Sequence, residues 1–171
     1  MSHLLLCGGV SSEHEVSLAS ARSVYAALQP LVEQVLIVGI TRKGLWLSMT
    51  PEQLQEVTSV DALAKGQLPA GLVQDQHGRC VLRNPQLQTE QLIKVVFPIL
   101  HGSGGEDGEI QGLLECFSVP YIGCGVSAAA VTWNKALFKN VLRAHGIPVV
   151  PGYVYRKPIR VLAEKIGLPV F

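Results

Sequence analysis

The sequence predicts an α/β fold in which a parallel, Rossmann-like sheet carries helices on both faces. Three apolar runs have the length and composition of buried strands: 4–7, 35–40 and 93–100. The segment between the first two has helical spacing of apolar residues, so the three pieces form a βαβ unit with a right-handed connection. The first and third strands end in glycine-containing loops. Ligands of open α/β sheets bind at that edge, so these loops are the candidate site.

Composition limits the class of protein. The chain has 171 residues, 48% hydrophobic and 16% charged, which is typical of one full core or of one core plus the start of another. The net charge of +1 and the absence of basic runs give no support for binding nucleic acid or a membrane. The four cysteines form no C-x-x-C pair, which argues against a zinc site, and no apolar run reaches the ~20 residues that span a bilayer. We therefore expect a cytoplasmic protein.

The other elements follow from local patterns. The first helix is predicted to run to about Leu28, where Pro30 stops it. Residues 41–85 are irregular and show no evident chemistry, so we interpret them as a decorated connection. The remaining predicted elements are a short strand at 45–47, helical turns at 51–57 and 61–65, a hairpin around 77–78, a helix at 109–117, a short strand at 120–123, a helical stretch at 126–145, a strand at 149–155 and a helix at 159–166. The last residues, 168–171, resemble the opening of a strand, which is an unusual end for a complete domain.

The first loop contains the pattern S-x-x-E. This pattern predicts a capping box with Ser12 as N-cap, which gives Glu15 a structural role. Glu13 would then occupy the first helical position and point toward the carboxyl edge of the sheet. A carboxylate there either complements the helix dipole or pairs with the ammonium group of a substrate. The residues alone do not decide between these two roles.

The second loop, HGSGGEDGEIQG, begins at His101. This histidine could orient a substrate group, although a histidine bonded within its own loop is the more common case. Glu106 and Asp107 are adjacent and point in different directions, which argues against a paired-carboxylate catalyst. Asp107 is instead predicted to be the N-cap of the next helix. The glycines could cradle an anion, but the pattern is neither a P-loop nor a dinucleotide fingerprint.

Two blocks of the sequence resemble the signatures of D-alanine–D-alanine ligases. Residues 8–18, GGVSSEHEVSL, resemble the first signature, and residues 101–112 resemble the second. The resemblance continues in register at 120–123, 127–128, 135 and 146–148. Order and approximate spacing agree along the chain, except in 41–85.

The resemblance implies an ATP-grasp ligase. Residues 1–124 would form the Rossmann-like N-terminal substrate domain, and 125–171 the beginning of the ATP-grasp central domain. The family converts the carboxylate of one D-alanine to an acyl phosphate, which the amine of a second D-alanine attacks, and the dipeptide serves peptidoglycan synthesis. The implied ligands are D-alanine, ATP and Mg²⁺, with the metal ligands expected beyond residue 171 and none in this chain. The implied assembly is a homodimer.

Functional residues transfer position by position. Glu13 matches the family glutamate that holds the ammonium of the first D-alanine, so it is the implied catalytic residue. Val16, His101 and Gly102 are implied to bind the same substrate. Lys135 matches a lysine that reaches the nucleotide phosphates.

The resemblance has two departures. Asn134 stands where the family usually has aspartate, although asparagine also caps helices well. The chain covers roughly the first half of the family's length, so we expect the 171 residues alone not to catalyse ligation. Two alternatives stay open: a non-catalytic binding module with this N-terminal fold, and a related ligase with D-lactate or D-serine as acceptor. The missing fingerprint disfavours a dinucleotide oxidoreductase.

Overall fold

A single mixed sheet forms the centre of the described part of the chain. The computed structural model describes residues 2–152. Its strands are β1 (Ser2–Gly8), β2 (Val35–Ile40), β3 (Trp46–Met49), β4 (Gly71–Gln74), β5 (Cys80–Asn84) and β6 (Thr89–Pro98). They lie in the order β3-β2-β1-β6-β5-β4. The predicted parallel strands β2, β1 and β6 are neighbours at the centre, and antiparallel strands extend the sheet on both sides.

Helices connect and cover these strands. Their bounds are α1 (His14–Leu28), α2 (Pro51–Glu56), α3 (Glu109–Cys116), α4 (Val126–Trp133) and α5 (Lys135–Ala144), with 3-10 turns at Gln29–Leu31 and Val60–Leu63. The single helical stretch predicted for 126–145 is wrong, because Asn134 is extended (ψ 92°) and separates α4 from α5. Its side-chain oxygen accepts the N–H of Leu137 at 3.1 Å, so asparagine does cap α5.

The core lies on both faces of β1. One cluster packs residues of α3 on the side of β1 that carries Leu4 and Leu6. The other packs residues of α1 on the side that carries Leu5 and Cys7. Helices on both faces of the parallel strands are therefore confirmed. Burial raises the pKa of the Cys7 thiol to about 12, although Arg22 lowers it slightly, so this cysteine behaves as a small apolar residue.

The region 41–85 belongs to the sheet. It supplies β3, α2 and the predicted hairpin of β4 and β5. Strand β6 starts at Thr89, earlier than predicted, and residues 89–92 pair with β5 while 93–98 pair with β1. This double pairing joins the hairpin to the parallel centre. The predicted strand at 120–123 is reduced to one parallel bridge between Tyr121 and Val96.

The described part of the chain divides after Trp133 into two compact units. This division falls after α4, whereas the domain boundary predicted from the resemblance precedes α4. The assignment of 125–171 to a central ligase domain stays a prediction. Residues 149–152 have no regular structure, and the rest of the predicted strand and the helix at 159–166 lie outside the described residues. None of the helices between residues 2 and 152 combines the length and apolarity needed to cross a bilayer.

Candidate functional site

The two motif loops meet at the centre of the sheet edge. The chain leaves β1 through α1 toward β2 on one side, while β6 lies on the other side of β1. The strand order therefore reverses at β1, which is where open α/β sheets bind ligands. The loops that follow β1 (residues 9–13) and β6 (residues 99–108) lie next to each other at this point.

The start of α1 differs from the predicted capping box. The N-cap is Glu13, not Ser12, and its side chain makes no capping hydrogen bond. The Glu15 carboxylate binds the guanidinium of Arg42 instead, and this hydrogen bond lowers the pKa of Glu15. Because α1 begins at His14, one residue later than predicted, Glu15 is the second helical residue and not the third, so the capping box does not form. The Glu13 N–H donates to Ser11 Oγ at 3.0 Å.

The side chain of a buried histidine, His14, binds the backbone of the first loop. Its Nε2 accepts the N–H of Val60 at 3.1 Å, so the proton of a neutral ring is on Nδ1, which donates to the Gly9 carbonyl at 2.7 Å. Val60 belongs to the region 41–85, which therefore helps to shape the site; its interpretation as a decorated connection was wrong. His14 was not among the site residues predicted from the sequence. The sequence signal that could have identified His14 is its helical spacing with Leu18 and Ala21, which are also buried.

His101 is held through one nitrogen of its ring and through its backbone carbonyl, and a carboxylate lies near the other ring nitrogen. Its Nε2 lies 3.1 Å from Ser20 Oγ on α1, and its Nδ1 lies 3.7 Å from Glu106 Oε1. Its carbonyl accepts a hydrogen bond of 2.6 Å from Ser11 Oγ. The His101 side chain is one-third exposed, so one part of the ring remains accessible.

Glu13 and Gly102 are in direct proximity. Gly102 has φ +73°, and a Cβ added to it would lie 2.8 Å from Glu13 Oε2. The Glu13 carboxylate thus occupies space that only a glycine at position 102 leaves open. Val16 lies one turn after Glu13 on α1 and is 51% exposed. The structure therefore brings Glu13, His101 and Gly102 together at one edge of the sheet.

The two loops are acidic. Residues 9–13 and 99–108 contain Glu13, Glu106 and Asp107 but no lysine or arginine, and Glu109 follows as the first residue of α3. Asp107 stabilises its own loop, because its carboxylate accepts the N–H groups of Gly104 at 2.7 Å and Glu109 at 3.2 Å. Partial burial opposes ionisation of Asp107, but these N–H groups outweigh it and lower its pKa. Asp107 thus binds the first turn of α3, although the N-cap itself is Gly108.

A cavity of about 460 Å³ opens beside these loops. Its walls are mainly apolar, with Trp46 and Gly44 contributed by the region 41–85 and Leu113 by α3. Ser11 and His101 line the cavity, whereas Glu13, Val16 and Gly102 do not. Volume and lining are typical of small-molecule sites. Ser11 lines the cavity and also accepts the backbone N–H of Glu13.

The described loops do not fit a triphosphate. Without a lysine or arginine in 9–13 and 99–109, their carboxylates repel phosphate and attract a cationic group. Lys135 is the first residue of α5, in the second compact unit, and its role toward nucleotide phosphates stays a prediction. Among residues 2–152, no three His, Cys, Asp or Glu side chains are arranged to hold a metal ion.

Comparison with known proteins identifies the fold. Residues 2–124 match the family model described as the D-ala D-ala ligase N-terminus. The D-alanine–D-alanine ligase of Treponema pallidum (strain Nichols) is 37% identical over 184 residues, which cover 98% of this chain and 45% of that protein. The structure of the D-alanine–D-alanine ligase from Coxiella burnetii has a TM-score of 0.80 and 32% identity, covering 97% of this chain and 48% of that chain.

A ligase with another acceptor in its name has the same fold. The VanG D-Ala:D-Ser ligase from Enterococcus faecalis has a TM-score of 0.74 and 29% identity, covering 86% of this chain and 43% of that chain. The chain spans about half the length of the curated relatives it matches. The two motif loops fall within the part that matches the family model. On these grounds, the chain belongs to the D-alanine–D-alanine ligase family and contains its N-terminal domain.

Proposed function

We propose that this chain is the N-terminal part of an ATP-dependent ligase that joins two D-alanines through an acyl phosphate for peptidoglycan synthesis. The family membership supports the reaction class. The observation that carries the proposal is the Glu13 carboxylate at the reversal point of the strand order, beside Gly102 and in loops without a lysine or arginine. Because the chain spans about half the length of its relatives, the reaction is proposed for the whole protein.

Glu13 is the group that would bind the ammonium of the first D-alanine. An ammonium–carboxylate hydrogen bond is charge-assisted and stronger than a neutral one. The Glu13 side chain makes no capping hydrogen bond to α1, so its carboxylate is not engaged by the helix N-terminus. The same negative charge would repel the substrate's own carboxylate. The first D-alanine would therefore be oriented with its carboxylate away from Glu13, toward the phosphate donor.

His101 and Gly102 would complete the pocket for the first substrate. The His101 ring can donate a hydrogen bond from Nδ1 to the substrate carboxylate, while Ser20 holds the ring through Nε2. Gly102 leaves room for the Glu13 carboxylate. Lys135 would bind nucleotide phosphates from the second unit. ATP supplies the phosphoryl group, and Mg²⁺ neutralises its charge during transfer.

The test is product analysis with the whole protein. Incubation with ATP, Mg²⁺ and D-alanine should yield D-alanyl-D-alanine by mass spectrometry and one phosphate per dipeptide. Phosphate release should require D-alanine. A protein that binds D-alanine but forms no product with any acceptor would contradict the proposal and favour a non-catalytic binding module.

The second candidate is a ligase with D-serine or D-lactate as acceptor. The similarity to the VanG D-Ala:D-Ser ligase supports keeping it. Competition of D-alanine, D-serine and D-lactate in one reaction discriminates among the acceptors, since the mixed products differ in mass. A predominance of D-alanyl-D-alanine supports the first candidate, and a predominance of a mixed product supports the second.

A further inference from the structure

The chain leaving β6 is bound by hydroxyls from α1 and from the segment that precedes it. Strand β6 ends at Pro98, so the carbonyls that follow have no partner strand and need another donor. Ser17, on the first turn of α1, donates to the carbonyl of Ile99. The same Ser17 Oγ accepts the N–H of Gly8 at 2.8 Å. One buried hydroxyl thus joins the ends of the two central strands.

The hydroxyl of Ser11 also joins the two loops, between Glu13 and His101. Its Oγ accepts the N–H of Glu13 at 3.0 Å and donates to the carbonyl of His101 at 2.6 Å. The backbones of Glu13 and His101, the two residues proposed to bind the substrate, are therefore joined through a single oxygen atom. Loss of this oxygen leaves both backbones without the connection.

Ser20 acts on the imidazole ring. It lies three residues after Ser17, so both hydroxyls are on the same face of α1. Ser20 Oγ is 3.1 Å from His101 Nε2, on the side of the ring opposite to Glu106. The ring orientation is thereby set from α1 and not only from its own loop.

We propose that Ser11 and Ser20 are positioning residues that hold Glu13 and His101 in one arrangement for the first D-alanine, with Ser17 anchoring the two loops beneath them. The inference rests on the proposed function for its substrate, but not for its geometry. Fixing both groups before the substrate arrives avoids the loss of entropy that ordering two loops on binding would require. The effect is therefore on binding of the first D-alanine and not on ATP.

The kinetic test uses the whole protein with Ser11→Ala and Ser20→Ala. Each should raise the KM for the first D-alanine by about three- to tenfold, as expected for one lost hydrogen bond, and leave the KM for ATP unchanged. Ser11→Thr, which keeps the hydroxyl, should restore most of the loss. Ser12→Ala is the matched control, since Ser12 is exposed in the same loop. An equal rise in Ser12→Ala, a parallel rise in the KM for ATP, or no rise in Ser11→Ala would overturn the proposal.

Amide exchange separates this inference from the proposed function. In the whole protein, Ser11→Ala should speed hydrogen exchange at the Glu13 N–H by about tenfold and leave the Gly8 N–H unchanged. Ser17→Ala should do the reverse. These results support the positioning role even if the protein ligates no D-alanine, in which case the proposed function alone fails. Unchanged exchange at both amides would overturn the positioning role, whatever the enzymatic activity.

Discussion

Replacement of Gly102 by alanine tests the contact between the two motif loops. The backbone at this position has φ +73°, and the added Cβ would lie 2.8 Å from Glu13 Oε2 and 3.0 Å from Ser11 Oγ. A separation below about 3 Å is shorter than van der Waals contact, so one group must move. The carboxylate is the end of a flexible side chain and gives way first. Gly102→Ala should therefore displace Glu13 without unfolding the protein.

The expected magnitude has two parts. A left-handed conformation costs an alanine about 1–2 kcal/mol, which lowers the free energy of unfolding. Displacement of Glu13 weakens a charge-assisted hydrogen bond of about 1.5–3 kcal/mol, which corresponds to a rise of about tenfold or more in the KM for the first D-alanine. The KM for ATP should not change. Steady-state kinetics of the whole protein and thermal unfolding measure the two parts separately.

Gly104→Ala is the matched control for this experiment. Gly104 has φ +80°, so its replacement carries the same backbone strain, but the nearest atom to its added Cβ is Glu109 Oε2 at 3.8 Å. The control should lose similar stability and keep the KM for D-alanine. If Gly104→Ala raises that KM as much as Gly102→Ala, backbone strain explains the effect and the proposed contact has no special role.

Three further predictions concern stability and reactivity. The folded-state pKa of Asp107 is lowered, so its stabilisation is present above the unfolded pKa of about 3.9 and is lost as the pH falls through the folded value; the stability difference between wild type and Asp107→Asn, from urea unfolding, should therefore shrink in acid. Alkylation of the native protein followed by peptide mapping should label Cys116 and Cys124, which are exposed, and spare the two buried cysteines; equal labelling of all four would contradict the fold. Leu5→Ala, at a fully buried position, should lower the free energy of unfolding by about 2–5 kcal/mol, whereas Leu31→Ala, at a position 79% exposed, should change it little.

Local patterns were sufficient to predict the centre of the fold. The runs 4–7 and 35–40 are continuous apolar stretches, and such stretches are stable only when both faces are covered. Residues 89–92 were missed because three of the four are polar, and they become a strand only through pairing with β5. Their structure depends on a tertiary partner and not on local propensity.

The site was predicted less completely, for the same reason. The Glu13 side chain was expected to make no capping bond, and it makes none, but the capping box from which this was inferred does not exist, because α1 begins one residue later with Glu13 as its N-cap. The partner of His14 is Val60, 46 residues away in the region 41–85. No local pattern indicates a contact over that separation. Long-range hydrogen bonds of this kind complete the site, and only the structure reveals them.

The most direct test of the central claim compares Glu13→Gln with Glu15→Gln in the whole protein. The two glutamates lie two residues apart at the start of α1, and each substitution removes one charge, but only Glu13 is adjacent to Gly102. The measurement is the KM for the first D-alanine, together with the affinity for ATP. We predict that Glu13→Gln raises this KM by about ten- to a hundredfold, and that Glu15→Gln changes it little, with ATP affinity unchanged in both. An equal effect of the two substitutions, or a loss of ATP affinity in Glu13→Gln, would contradict the assignment of Glu13 to the substrate ammonium.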